Sequence, residues 1–202
     1  LKALKKVYIG MNFNLYNKYI NRNRVSEAIQ IKDSFLKYIF NKYSLKSTLL
    51  IINALAKQTN SQEINYEKPN KSKKEFWNYQ LTHSADNFYG NYKYPDNYYN
   101  DLKRISDYCK KNNIELTFLI LPTHVDLQKK IKEYKLSEME KKFKADLTLL
   151  ADLYDFDYPN DYTRDKNNFY DPFHFNKKFK NIIENEVFSK NPNIAKFTDK
   201  MD

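Results

Sequence analysis

Apolar residues crowd the stretch Ile114-Glu115-Leu116-Thr117-Phe118-Leu119-Ile120-Leu121, which Pro122 closes. Its β-branched and aromatic content, and a terminal proline that cannot donate to a ladder, predict a strand over residues 114–121. Just upstream, residues 96–112 repeat apolar positions at helical spacing and end in Lys110-Lys111-Asn112-Asn113. This predicts an amphipathic helix whose packed side carries Asn97, Tyr98, Ile105, Tyr108 and Cys109. A helix, an Asn-Asn turn, an apolar strand and a polar loop in succession form the repeating unit of an α/β sheet.

The same reading extends along the chain. Lys6-Val7-Tyr8-Ile9-Gly10-Met11-Asn12-Phe13 has the unalternating apolar character of a buried parallel strand. Residues 25–57 carry apolar positions at roughly helical spacing, which predicts helices with a break near Ser44, and residues 59–74 predict a loop. A short helix follows over residues 75–86, with Trp77 inside it and His83 as a surface or helix-end residue. Residues 87–99 are dense in Tyr and Asn, either a carbohydrate-facing wall or tyrosines filling a loop. Helices are predicted over 127–134 and 137–150, the second opened by a Ser137-Glu138-Met139-Glu140 capping pattern. Residues 153–157 predict a strand and 158–168 a polar loop. Phe175, Phe179, Ile182, Ile183, Val187 and Phe188 predict a last helix on the sheet. Together these give an α/β fold, a parallel sheet flanked by helices, in a single domain over residues 1–190 with a weakly ordered tail over 191–202.

Composition narrows the chemistry. Gly10 and Gly90, the two glycines, cannot build a phosphate-binding glycine loop or a dinucleotide fingerprint. The single Cys109 excludes an intrachain disulfide and a cysteine zinc cluster. A formal net charge of +10 favours an anionic partner, although most lysine pairs lie beside acidic residues on predicted helix faces. No apolar run approaches the ~18 residues of a membrane span, and residues 1–202 carry no signal-peptide pattern, so any targeting signal is expected upstream. The chain begins with Leu1 rather than methionine, and we expect it to be part of a longer protein.

Chemistry concentrates in Asn168-Phe169-Tyr170-Asp171-Pro172-Phe173-His174-Phe175-Asn176. A carboxylate three residues before an imidazole, with a proline restricting the turn, can orient a histidine as a general base. The same residues also suit a helix entry in which Asp171 caps and His174 packs against Phe179. His124 lies in Pro122-Thr123-His124-Val125-Asp126, beyond the carboxyl end of the 114–121 strand. Ligands of parallel sheets sit there, yet a bond from His124 to a backbone carbonyl is equally compatible with the sequence.

The blocks Lys6 to Phe13, Leu121-Pro122-Thr123-His124, Tyr154-Asp155-Phe156 and Phe169 to Phe175, in this order, resemble the C-terminal part of SGNH (GDSL-like) hydrolases. The likeness is to a branch of membrane-anchored bacterial cell-envelope proteins that includes the D-alanyl transfer protein of teichoic acids and polysaccharide O-acetyltransferases and esterases. It implies a flavodoxin-like fold lacking its first strand, and a Ser-His-Asp triad of which Asp171 and His174 are the acid/base half. His124 and Tyr170 would line the substrate pocket. An anionic envelope polymer and an acyl donor are the implied partners, a membrane-bound acyl-donor protein being a further candidate. The location implied is extracytoplasmic, with an anchor upstream. No cofactor and no metal are implied.

The chain departs from the family at the nucleophile. Ser26, Ser34, Ser44, Ser47 and Ser84 lack the strand-turn-helix setting of an exposed serine, so the attacking residue is expected upstream. A non-catalytic polymer-binding or scaffold domain of the same fold is the competing reading. A divalent-metal site from His124, Asp126, Asp171 and His174 is a third. Nucleic-acid binding rests on charge alone, with no recognition motif.

Overall fold

The computed structural model describes residues 4–20 and 72–200. By its contacts the chain divides into two compact units, Leu1–Ile20 with Ser72–Asp202, and Asn21–Lys71. The described residues all belong to the first unit. The helices predicted over 25–57, and the predicted loop up to residue 71, lie outside them.

Six strands occur among the described residues: Lys6–Met11 (β1), Glu115–Ile120 (β2), Asp152–Asp155 (β3), Phe169–Asp171 (β4), His174–Phe175 (β5) and Lys196–Thr198 (β6). The helices are Lys73–Tyr79 (α1), Ala85–Tyr89 (α2), Asp96–Lys111 (α3), Val125–Glu133 (α4), Ser137–Thr148 (α5), Asp161–Arg164 (α6) and Lys177–Ser189 (α7). A π-helical turn, Gln80–Ser84, makes α1 and α2 continuous. The main sheet has the order β1-β2-β3-β6. Its first three strands are parallel, with Lys6 opposite Glu115 and Thr117 opposite Asp152, and β6 is antiparallel to β3. β4 and β5 form a separate antiparallel ribbon.

Strand alternation sends side chains to two cores. Leu116, Phe118, Ile120 and Leu153 join one with Phe13, Leu127, Ile131, Phe143 and Leu147, so α4 and α5 cover that face. Leu119 and Tyr154 join the other with Trp77, Phe156, Phe169, Phe179, Ile183 and Val187, so α7 covers the opposite face. Helices on both faces of a mostly parallel sheet make this an α/β fold. Phe118, Phe143 and Phe179 are fully buried, each removing apolar surface worth about 1.5–3 kcal/mol from water.

Several expectations change in the folded chain. The packed side of α3 runs through Tyr98, Leu102, Ser106 and Cys109, whereas Ile105 and Tyr108 are 40% and 63% exposed. The helical phase is set by Ser106, whose hydroxyl donates to Leu150 O at 2.5 Å and pulls that face inward. Within residues 87–99, 87–89 end α2, 90–95 form a turn and irregular link, and 96–99 open α3; Tyr89 and Tyr94 are buried. Tyr16 meets Tyr94 and Tyr98 at 5.4 and 5.5 Å between ring centroids, so this stretch fills a core rather than walling a surface. Ser72 and Glu75 form a capping box that starts α1 inside the predicted loop. Ser137 does not cap α5: Glu140 N–H already donates to Leu136 O, so the helix starts one residue earlier. The predicted loop over 158–168 contains α6, capped by Asn160. The tail expected to be weakly ordered holds β6. Buried Glu186 fixes it, with Oε1 accepting from the backbone N–H groups of Asn193, Ile194 and Ala195 at 2.9, 2.9 and 2.7 Å.

Candidate active site

The ribbon of β4 and β5 turns at Pro172-Phe173, with Asp171 opposite His174. Asp171 organises the turn: its Oδ1 accepts from Phe173 N–H at 2.8 Å and His174 N–H at 3.1 Å. Aspartate commonly stabilises turns by bonding the backbone two residues on, and proline presets the preceding dihedral. The same carboxylate meets the imidazole, with His174 Nδ1 at 2.8 Å from Oδ2 and 2.9 Å from Oδ1. The Asp171 side chain is 10% exposed and the His174 side chain 71% exposed. The carboxylate calls for the proton on Nδ1, which leaves Nε2 carrying the lone pair of a ring open to solvent. The hydrogen bond that His174 donates to Asp171 is the largest influence on the imidazole and raises its pKa above the ordinary 6.5, against the lowering effect of partial burial.

Two contacts fix the ribbon on the main fold, and a third closes its open end. Pro172 O, at the centre of the turn, accepts from His124 N–H at 2.9 Å, and Asn176 N–H donates to Asn168 O at 2.8 Å. Phe173 packs on Phe88 of α2, with centroids 5.3 Å apart. Asn176 then caps α7 by accepting from Phe179 N–H at 3.0 Å, so the cap belongs to Asn176 and not to Asp171. Because His124 follows β2 and opens α4, the bond to Pro172 sets the Asp171–His174 pair beyond the carboxyl end of a central parallel strand. Ligands of open α/β sheets bind at that rim.

Of the two roles the sequence leaves open for His124, the structure shows the bond to a backbone carbonyl. It is 1% exposed. Its Nε2–H donates to Arg164 O at 3.1 Å, and its Nδ1 accepts from Asp126 N–H at 3.1 Å, capping α4. Trp77 and Phe169 pack edge-on against the ring at 4.8 and 5.4 Å. Burial, the dominant influence, lowers its pKa below 6.5, and both ring nitrogens are occupied. His124 is therefore a buried joint among α1, α4 and the chain around Arg164, with no nitrogen free for a substrate. Tyr170 is 64% exposed, between buried Phe169 and Asp171, so its ring is available to solvent beside the turn. His83 lies exposed in the π-helical turn, 4.9 Å from Tyr79.

Two polar residues at the same rim went unnoticed in the sequence. Asn12 directly follows β1, and its Nδ2 donates to Leu121 O at 3.3 Å. Asp157, beyond the end of β3, is 3% exposed, and burial pushes its carboxyl up to about 6. Isolated Asn and Asp residues are too common for spacing to reveal such roles. Among the described residues, Ser72 caps α1, Ser84 and Ser106 lie inside helical segments, Ser137 and Ser189 are at helix ends, and none bonds to His174. Nor do three or more His, Cys, Asp or Glu side chains converge to hold a metal ion among them, so His124, Asp126, Asp171 and His174 do not make the metal site considered from sequence.

In comparisons with known proteins the chain matches no family model, no curated protein and no solved structure.

Proposed function

We propose that Asp171 and His174 are the acid/base half of an acyl-transfer site of the SGNH-hydrolase kind. The protein would act as an esterase or O-acyltransferase on a cell-envelope polysaccharide or teichoic-acid-like polymer. The observation that carries this reading is the pairing itself: a buried carboxylate on Nδ1 of an exposed imidazole, at the carboxyl rim of a parallel sheet. In the reaction, His174 Nε2 takes the proton of a serine hydroxyl as its oxygen attacks the ester carbonyl. The resulting oxyanion collapses, the C–O bond breaks, and the imidazolium returns its proton to the leaving alcohol. Water or an acceptor hydroxyl then repeats the sequence in reverse to release the acyl group. Asp171 holds the tautomer and offsets the charge on the imidazolium. The amide of Asn12, at the same rim, is a donor of the type that stabilises oxyanions.

The serine lies outside the described residues in this reading. Among those residues β1 pairs on one side only, which leaves an edge for the further parallel strand that the SGNH arrangement requires. The net charge of +10 suits an anionic polymer or its acyl donor, in keeping with an anchored, extracytoplasmic protein. The test is hydrolysis or transfer of acetyl from an activated acetyl ester by the full-length protein across pH 5 to 9. Activity should rise with pH as His174 loses its proton, and the His174→Ala variant should lose it while keeping the wild-type melting temperature. Turnover that survives in that variant would remove His174 from the reaction.

A further inference from the structure

The dyad's ribbon touches the sheet through the loop between β2 and α4, and within that loop Thr123 is tied to one buried carboxylate, Asp157. Asp157 Oδ1 accepts three hydrogen bonds there: Thr123 N–H at 2.8 Å, Thr123 Oγ1–H at 2.7 Å and, from α4, Gln128 Nε2–H at 2.9 Å. Gln128 also donates to Thr123 O at 2.8 Å, so both backbone polar groups of Thr123 are tied down. Asp157 is anchored in turn: its N–H donates to Asp155 Oδ1 at 2.8 Å, and Lys144 Nζ bridges Asp155 Oδ2 and Asp157 O at 2.8 and 2.7 Å. The next residue after Thr123 is His124, whose N–H holds Pro172 O between Asp171 and His174.

We propose that Asp157 is a positioning residue for the dyad: by fixing Thr123, it fixes the His124 N–H that docks Pro172 and thereby sets the contact between Asp171 and His174. Three donors converging on one oxygen of a 3% exposed carboxylate form a rigid joint, since charge-assisted hydrogen bonds in a buried setting are stronger than neutral ones. The Thr123 methyl and hydroxyl are buried as well, so the loop has no solvent-bonded alternative. The path contains the two hydrogen bonds that Thr123 donates to Asp157, one peptide link, and the hydrogen bond that His124 N–H donates to Pro172 O. Asp157 never touches substrate in this scheme. The inference rests on the dyad being the functional pair, but its test reads the His174 proton directly.

The experiment is an NMR titration of the three histidines in the full-length protein labelled at the imidazole. The wild type is compared with Asp157→Ala, Asp157→Asn, Thr123→Val and Ser106→Ala. In the wild type, His174 should titrate above 6.5. Asp157→Ala should move that midpoint down toward 6.5 and weaken the Nδ1 proton signal, because the turn loosens and Asp171 loses its hold. Asp157→Asn keeps an acceptor oxygen for Thr123 and should restore the midpoint. Thr123→Val removes one of the three bonds, keeps the fold, and should shift the midpoint in the same direction by a smaller amount. Ser106→Ala also removes a buried hydrogen bond, the one to Leu150 O. It should lower the melting temperature without moving His174, which separates positioning from general loosening. A His174 curve that superimposes on wild type in Asp157→Ala, or in Thr123→Val if the first variant does not fold, would overturn the proposal. Loss of the acyl-transfer reading through an active His174→Ala variant would leave this result unaffected.

Discussion

Replacing Asp171 with Asn alters the dyad by one group and keeps its volume. Asn Oδ1 can still accept from Phe173 N–H and His174 N–H, at 2.8 and 3.1 Å in the native turn, so the turn should persist. The new Nδ2 then occupies the position of Oδ2, 2.8 Å from His174 Nδ1, and donates to it. The imidazole proton must move to Nε2, which removes the lone pair from the exposed side of the ring. Two backbone bonds change from a charged to a neutral acceptor, at a cost of about 1 kcal/mol of stability. Loss of the correct tautomer in a serine triad costs on the order of 10⁴-fold in turnover, so activity should collapse while the fold stays. The titration of His174 should move as well, because the Asp171 hydrogen bond is the main influence raising its pKa above 6.5. A raised folded-state value means the pair's contribution to stability is complete below about 6.5 and fades as the pH rises through the folded value. With the imidazole 71% exposed, solvent screening keeps that contribution well under about 1 kcal/mol. Imidazole nitrogen shifts across pH 4 to 9, measured beside thermal unfolding, report both effects. An Asp171→Asn protein whose His174 kept the wild-type tautomer and midpoint would refute this account of the dyad.

Other consequences follow from the packing and the buried charges. Phe143 is fully buried and lies 5.7 Å from Phe13 and 4.9 Å from Tyr16 between centroids, so Phe143→Ala should cost about 3–5 kcal/mol, read from the denaturation midpoint. Glu186→Ala strands three backbone N–H groups, those of Asn193, Ile194 and Ala195. Hydrogen exchange should then accelerate through β6 while β2 stays protected, with a stability loss of about 2–3 kcal/mol. Burial pushes the Asp157 carboxyl from 3.8 up to about 6. Its folded form is thus favoured below pH 3.8 and loses about 3 kcal/mol as the pH rises through 6. Between pH 4 and 7 the unfolding free energy of the wild type should fall relative to that of Asp157→Asn, and parallel curves would contradict the assignment.

Much of this architecture was legible because it depends on local pattern. The 114–121 run forms β2, the apolar repeat Phe179, Ile182, Ile183 and Val187 lies in α7, while Phe175 falls in β5 and Phe188 is 68% exposed, and the Asp171-Pro172-Phe173-His174 sequence carries its own turn chemistry. Three features were not legible, each for a long-range reason. Ile105 and Tyr108 have the character of core residues, but α3 turns its Ser106 side inward to reach Leu150. β6 is only three residues long and owes its order to Glu186 and to pairing with β3. The position of His124 after its strand is visible in sequence, but the choice between ligand and backbone carbonyl is not. The Arg164 carbonyl and the Trp77 and Phe169 rings that enclose it come from distant segments. Asp157 shows the same limit, since its value lies in the partners that the fold brings to it.

The central claim, that His174 serves as the base of an acyl-transfer site, is tested most directly by covalent labelling. Full-length protein from its own cell is treated with a fluorophosphonate probe, with and without the His174→Ala substitution, and the modified residue is found by peptide mass mapping. The account predicts one labelled serine in the wild type, outside residues 72–200, whose modification falls on the order of 10³-fold or more in the variant. Labelling absent from a folded wild-type protein that shows no ester turnover, or equal in the two proteins, would contradict it.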